Sequence, residues 1–256
     1  MTGILITARV GSSRLPQKHF IEANGKPFIK WLVLRLQNAF KKELDSKKVK
    51  IVIATSVKPE NKEFEKRTGS IAEVFYGDDD NIPHRHFQCA THLGFSNIIS
   101  IDGDDILCSV RGAYEVYKNL NADSAIDICS TTGLPLGMNV SGYSVAYLEK
   151  CLKGKENNKM ETGWGRVFVN HREKKIKMGE HNIHSSLRFT LDYEDDATFF
   201  SAIINDLKER IVSISDEDLI KFVEQKKYFK INSHLSEQYW KNFNESKELE
   251  QRNEKP

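Results

Sequence analysis

Apolar residues in the first half of the chain fall into two alternating patterns. Short unbroken runs at 4–7, 50–55, 73–76, 97–101 and 124–130 predict buried strands. Between them, apolar positions recur every three or four residues at 27–40, 80–93 and 109–119, the spacing of a helix with one buried face, and 59–68 reads as polar and helix-like. Pro27 suits a first helical turn and Gly94 a C-cap. The alternation predicts an α/β fold: a Rossmann-like, mainly parallel sheet with helices on both faces. The second half is less regular. It reads as a Gly/Pro loop at 131–139, a polar turn at 153–159, an exposed strand at 172–178, a strand at 186–191 and helices at 194–210 and 216–225. From 236 the chain is charged, and it is expected to fray after Trp240. The domain reading is one unit over 1–235, with a small insert at about 131–185 and a tail at 236–256.

Composition narrows the classes. With 256 residues and a formal net charge of +2, the chain can bury a core but lacks the basic face of a nucleic-acid binder. No apolar run reaches the ~20 residues of a membrane span. Cys89, Cys108, Cys129 and Cys151 form no CxxC pair and no zinc pattern; three of them sit in apolar stretches and read as buried free thiols, in a reducing, cytoplasmic setting.

In parallel sheets ligands bind beyond the C-terminal strand ends, and the two richest polar motifs lie there. The first, Ala8-Arg9-Val10-Gly11-Ser12-Ser13-Arg14-Leu15-Pro16-Gln17-Lys18, places three cations within ten residues. Gly11 permits a tight turn or close approach to a ligand, Ser12 and Ser13 offer hydroxyls and N–H groups, and Arg9, Arg14 and Lys18 suit phosphate oxygens. The motif is neither GxxxxGK[ST] nor GxGxxG. The second, Asp102-Gly103-Asp104-Asp105, ends a buried strand, where carboxylates are costly unless they bind something. It also fits a turn with a helix N-cap. A third acidic segment, Arg188-Phe189-Thr190-Leu191-Asp192, leads into a late helix, with Glu194, Asp195 and Asp196 favouring the dipole of its first turn. His84, His86, His171, His181 and His184 show no ligand spacing.

The string ARVGSSRLPQK resembles the ARxGSxRLPxK signature of the cytidylyltransferases that activate sugar acids, a family that includes CMP-Kdo and CMP-acylneuraminate synthetases and the SpsF-like branch. The resemblance spans about residues 3–210. It implies a fold of the nucleotide-diphospho-sugar transferase type and transfer of CMP from CTP to an acidic sugar, Kdo-like or nonulosonic, for polysaccharide synthesis. It further implies nucleotide contacts from Ala8, Arg9, Gly11, Ser12, Ser13, Arg14, Lys18 and Asp102, and Mg2+ on Asp104 and Asp192. Arg14, Lys18, Asp104 and Asp192 would be catalytic. Arg85, Asn139, Trp164 and Arg188 are the expected acceptor contacts, although Arg85 equally suits pairing with the acidic turn Asp78-Asp79-Asp80 and Trp164 suits a dimer contact; a homodimer through the insert is expected, with neither nucleic acid nor membrane as partner. Asn139 stands where the SpsF-like members often carry Asp, and the acidic turn lacks the family's usual following Pro. Three other readings stay open: a phosphonate acceptor, a glycosyltransferase using Asp102-Gly103-Asp104 as a DxD motif, and a non-catalytic nucleotide binder.

Overall fold

The computed structural model describes residues 1–12, 14–155, 158–182 and 185–253. Strands in chain order are β1 (Thr2–Thr7), the two-residue arms β2 (Glu22–Ala23) and β3 (Lys26–Pro27) of a small hairpin, β4 (Val49–Ser56), β5 (Glu73–Gly77), β6 (Asn97–Asp102), β7 (Ile128–Thr132), β8 (Ser141–Ser144) and β9 (Glu173–Lys177). Helices are α1 (Phe28–Ala39), α2 (Lys41–Asp45), α3 (Glu63–Thr68), α4 (Ile82–Leu93), α5 (Val110–Ala122), α6 (Val145–Leu152), α7 (Glu194–Leu207), α8 (Asp216–Gln225) and α9 (Ser236–Asn253).

Seven strands form one sheet in the order β5-β4-β1-β6-β8-β7-β9. Only β8 runs against its neighbours, pairing antiparallel with β6 and β7. Alternation along the strands fixes the two faces. Ile4 and Ile6 of β1 pack with Leu32 and Leu36 of α1 and Val116 of α5, whereas Leu5 joins Cys89 of α4 and Leu148 of α6. Helices thus cover both faces, as the alternating pattern predicts. A third cluster, centred on Phe28, Trp31, Phe189, Phe199 and Phe200, packs α7 and α8 against α1.

Several boundaries and elements differ from the sequence expectation. Residues 124–127 are a turn closed by Asp123, whose carboxylate accepts the Ala125 N–H at 2.8 Å, so β7 starts only at Ile128. Residues 186–191 are not a strand: a single bridge joins Leu136 to Arg188, because the facing loop turns away at Gly137. The region read as an insert supplies β8, α6 and β9, two of them strands of the main sheet. The tail does not fray after Trp240. It continues as α9 to Asn253, anchored by Glu250, whose buried carboxylate accepts the N–H groups of Glu161 and Thr162 at 3.2 and 3.0 Å. All four cysteines are buried and free. Among the described residues no helix is long and apolar enough to cross a membrane.

Candidate active site

β1 and β6 are parallel neighbours, and Thr7 and Asp102 are partners in their register. The cation loop and the acidic turn therefore leave the sheet side by side. The Gly103 N–H donates to the Thr7 carbonyl at 2.7 Å. A Cβ at Gly103 would stand 2.8 Å from the Ala8 Cβ, so only glycine lets the two loops press together. The third segment is tied to the second where the Leu191 N–H donates to the Asp104 carbonyl at 3.0 Å.

Lys18 joins all three. Its Nζ donates to Asp104 Oδ2 at 2.6 Å and to the Leu191 carbonyl at 2.8 Å, and stands 3.6 Å from Asp192 Oδ1. Arg14 Nη2 donates to Asp192 Oδ1 at 2.6 Å. Burial opposes charge on Lys18 and on Asp192, but their partners more than offset it. Asp104 and Asp192 raise the Lys18 pKa, while Lys18, Arg14 and Arg188 hold Asp192 below the usual carboxylate range. Arg9 pairs with Glu161 on the loop before Trp164. The cation loop itself is held by Asn61, which accepts the Val10 N–H at 2.9 Å.

Ala8, Arg9, Gly11, Ser12, Arg14, Lys18, Asp102, Asp104, Asp192, Arg85, Asn139 and Trp164 all line one cavity of about 830 Å³. That is a size typical of small-ligand sites, about 300–1,000 Å³. Ser13 lies outside the described residues, as does His184. The Ser12 N–H donates to the Val10 carbonyl at 2.9 Å, closing a tight turn centred on Gly11, and a Cβ there would meet nothing within 4 Å, so the turn is also open to a ligand. The Asn139 side chain is engaged within its own loop, donating to the Leu134 carbonyl at 2.8 Å.

Arg188 is placed differently from the expectation for an acceptor contact. It is fully buried behind the cavity wall, with Nε 2.9 Å from Asp196 Oδ1 and Nη2 3.1 Å from Asp192 Oδ2. Asp196 is more than a dipole-favouring residue: it is also fully buried and accepts the backbone N–H groups of Asp192 and Tyr193 at 2.9 and 3.1 Å. Arg188 and Asp196 together orient Asp192.

The carboxylates on the cavity floor exceed the cations that neutralise them. Asp102 opens to the cavity but is ringed by protein, and burial together with Asp104 pushes it up to about 6. Burial and Asp102 raise Asp105 well above its ordinary value. This surplus of hard oxygen donors suits a divalent cation. Among the described residues no three His, Cys, Asp or Glu side chains are already gathered around a metal position. Mg2+ commonly takes one or two carboxylates and completes its shell with substrate phosphates, so two carboxylates suffice.

Sequence reasoning missed several groups. His19 is buried and lowered to about 4 by burial, so it is neutral; its Nδ1–H donates to the Gly103 carbonyl at 3.2 Å, leaving Nε2 3.7 Å from Asp104. His86, lowered to about 3 by burial, is bonded on both nitrogens, to the Thr7 hydroxyl at 2.7 Å and the Tyr143 hydroxyl at 2.6 Å. Tyr239, Phe243, Ser246, Leu249 and Glu250 of α9 also line the cavity. Their four- and three-residue spacing was the available signal, masked by the charge around them.

A sequence profile described as cytidylyltransferase matches residues 3–234. The chain belongs to the cytidylyltransferase family. Solved structures agree with this fold assignment. A cytidylyltransferase from Leptospira borgpetersenii serovar Hardjo-bovis (strain JB197) superposes with a TM-score of 0.70 at 19% identity, covering 89% of this chain and 95% of the other. CMP:2-keto-3-deoxy-manno-octonic acid synthetase complexed with CTP gives 0.56 at 14% identity, covering 80% and 98%. The manganese complex of Rv0371C from Mycobacterium tuberculosis H37Rv gives 0.54 at 10% identity, covering 77% and 95%. No curated protein sequence matches this cytidylyltransferase significantly.

Proposed function

We propose that this cytidylyltransferase transfers CMP from CTP to an acidic sugar, Kdo-like or nonulosonic, and releases pyrophosphate. The observation that carries the reading is the junction at Lys18, where the cations of the N-terminal loop meet Asp104 and Asp192 on the floor of one cavity. An acceptor hydroxyl oxygen attacks the α-phosphorus, the bond from that phosphorus to the β-bridging oxygen breaks, and the hydroxyl proton is lost to solvent. Such transfer depends mainly on positioning and charge neutralisation. Arg14 and Lys18 turn from their carboxylates to the triphosphate and hold the charge of the departing pyrophosphate. Arg9, already on the cavity wall, gives up Glu161 for a phosphate oxygen. Ala8, Gly11, Ser12 and Ser13 offer N–H and hydroxyl groups, and Asp102 faces the nucleotide. Arg85, Asn139 and Trp164 border the acceptor.

Asp104 and Asp192 are the residues that would hold a divalent cation, Mg2+ in the cell, which screens phosphate charge when bound. A manganese complex and a CTP complex among proteins of the same fold support both ligands as candidates. A homodimer through 131–185 rests on the family resemblance, and light scattering tests it.

The test is pyrophosphate release from each of four nucleoside triphosphates, with Mg2+, against a panel of acidic sugars and phosphonates. CTP with an acidic sugar is expected to give turnover, and Asp104→Asn to lower it at least about 100-fold, in line with loss of an electrostatic catalytic group. Release of a nucleoside diphosphate, or turnover untouched by Asp104→Asn, would sink the reading.

A further inference from the structure

The last helix lies beyond the segment that carries the family match, which ends at residue 234, whereas α9 begins at Ser236. Yet α9 builds one side of the cavity. Tyr239, Phe243, Ser246, Leu249 and Glu250 follow one another at intervals that keep them along one side of a helix.

The helix is fixed at both ends. Near its start, the Tyr239 ring lies 4.4 Å from the Arg188 guanidinium, the group that orients Asp192. Near its end, Glu250 accepts the Glu161 and Thr162 N–H groups and pairs with Arg166 at 3.2 Å, fastening the loop that carries Trp164. Between the two ends, a Cβ on Gly163 would stand 3.5 Å from Phe243 Cζ, so Phe243 and the Trp164 loop are neighbours. Trp164 is backed in turn by edge-on contacts with His86 at 5.5 Å and Tyr143 at 6.1 Å.

The cavity therefore has two unlike parts. One is a floor of cations and carboxylates from the three motif segments, within the span common to the family. The other is a side of aromatic and aliphatic surface: Trp164, Tyr239, Phe243 and Leu249. A triphosphate and a cation need only the first. Leu249 is 61% exposed, an apolar side chain left open at the rim of a charged site. Surface of this kind suits the carbon face of a sugar ring or an acyl substituent.

We propose that α9 is the wall against which the acceptor's carbon skeleton packs, with Phe243 and Leu249 as specificity-determining residues. This rests on the transfer reaction proposed above. The three motif segments handle the donor, and the helix outside the family-wide span completes, with Trp164, the side that selects the acceptor.

The test uses the full chain and the variants Phe243→Ala and Leu249→Ala. Acceptors are 3-deoxy-manno-octulosonate and N-acetylneuraminate. Two quantities are read: acceptor KM from pyrophosphate release, and CTP Kd from calorimetry with Mg2+ and no acceptor. Acceptor KM is expected to rise about tenfold for Phe243→Ala and about threefold for Leu249→Ala, with kcat falling by a smaller factor and CTP Kd within about twofold of wild type. Leu249 is exposed, so its substitution leaves folding intact and keeps the test valid if Phe243→Ala is unstable. Unchanged acceptor KM in both variants overturns the wall alone. CTP Kd weakening in step with KM overturns it too, since the wall would then hold the nucleotide. A wild-type chain that binds no CTP overturns the transfer reaction itself. One that binds CTP but turns over neither sugar overturns the acceptor class and the wall together.

Discussion

Asp196→Ala tests how the candidate site is held. The Asp196 carboxylate accepts Arg188 Nε at 2.9 Å, Arg188 Nη2 at 3.0 Å, Asn232 Nδ2 at 2.9 Å and the backbone N–H groups of Asp192 and Tyr193 at 2.9 and 3.1 Å. Both charged partners are fully buried. Breaking a buried ion pair from one side costs about 3–5 kcal/mol, mostly the penalty of the charge left behind. Arg188 keeps Asp192 at 3.1 Å and the Tyr239 ring at 4.4 Å, which places the loss near the lower end, about 3 kcal/mol. For a chain of this size each kcal/mol moves Tm by about 2–4 °C, so Tm should drop by about 6–12 °C. The control is Glu194→Ala, an exposed neighbour in the same helical turn, expected within about 0.5 kcal/mol of wild type. Thermal unfolding followed by circular dichroism, at matched pH and without ligand, reads both. An Asp196→Ala Tm within about 2 °C of wild type would refute the view that this pair anchors Asp192.

Three further outcomes follow from the same geometry. Lys18→Met removes the cation shared by Asp104 and Asp192 and should weaken CTP binding about 10- to 100-fold, the worth of charge-assisted hydrogen bonds; a calorimetric Kd within threefold of wild type would contradict the triphosphate role. Gly137→Ala forces a side chain onto a backbone at φ +83° and puts its Cβ 2.2 Å from the Phe189 carbonyl oxygen, so unfolding should become easier by about 1–3 kcal/mol, read by denaturant titration; an unchanged midpoint would count against this packing. Burial lowers His86 to about 3, whereas in the unfolded chain it titrates near 6.5. Between those values the unfolded state binds the extra proton, so the histidine's contribution to stability is intact above pH ~6.5 and is lost as pH falls. Relative to His86→Gln, the wild type should lose up to about 1.4 kcal/mol per pH unit from pH 6 to 4.5. Comparing the two chains cancels Asp102 and Asp105, whose raised values act in the opposite direction. Parallel pH curves would overturn the assignment of a buried neutral imidazole.

The candidate site was legible where function follows from local composition. Three cations and two serines directly after a buried strand, and carboxylates directly after another, announce an anion-and-cation site whatever the neighbours are, and parallel topology puts such strand ends on one edge. Arg188 was legible as important but not in its role, because a charged residue beside acidic ones reads the same whether it faces a ligand or a buried partner. Asp196 was masked for a similar reason: three acids in a first helical turn look alike until one is buried.

By itself the sequence determined the strand–helix alternation of the first half and the family. Alternation of apolar runs sets strands and helices through short-range backbone geometry, and the string 8–18 carries its family resemblance residue by residue. Tertiary structure alone decided what lies far apart in sequence and close in space. Arg14 reaches Asp192 across 178 positions, and Glu250 caps Thr162 across 88. The antiparallel β8 slips between β6 and β7 although only four residues long, too short for a periodic signal. The charged tail became a helix that walls the cavity because its stability comes from docking one face, Tyr239 to Glu250, and not from its own composition.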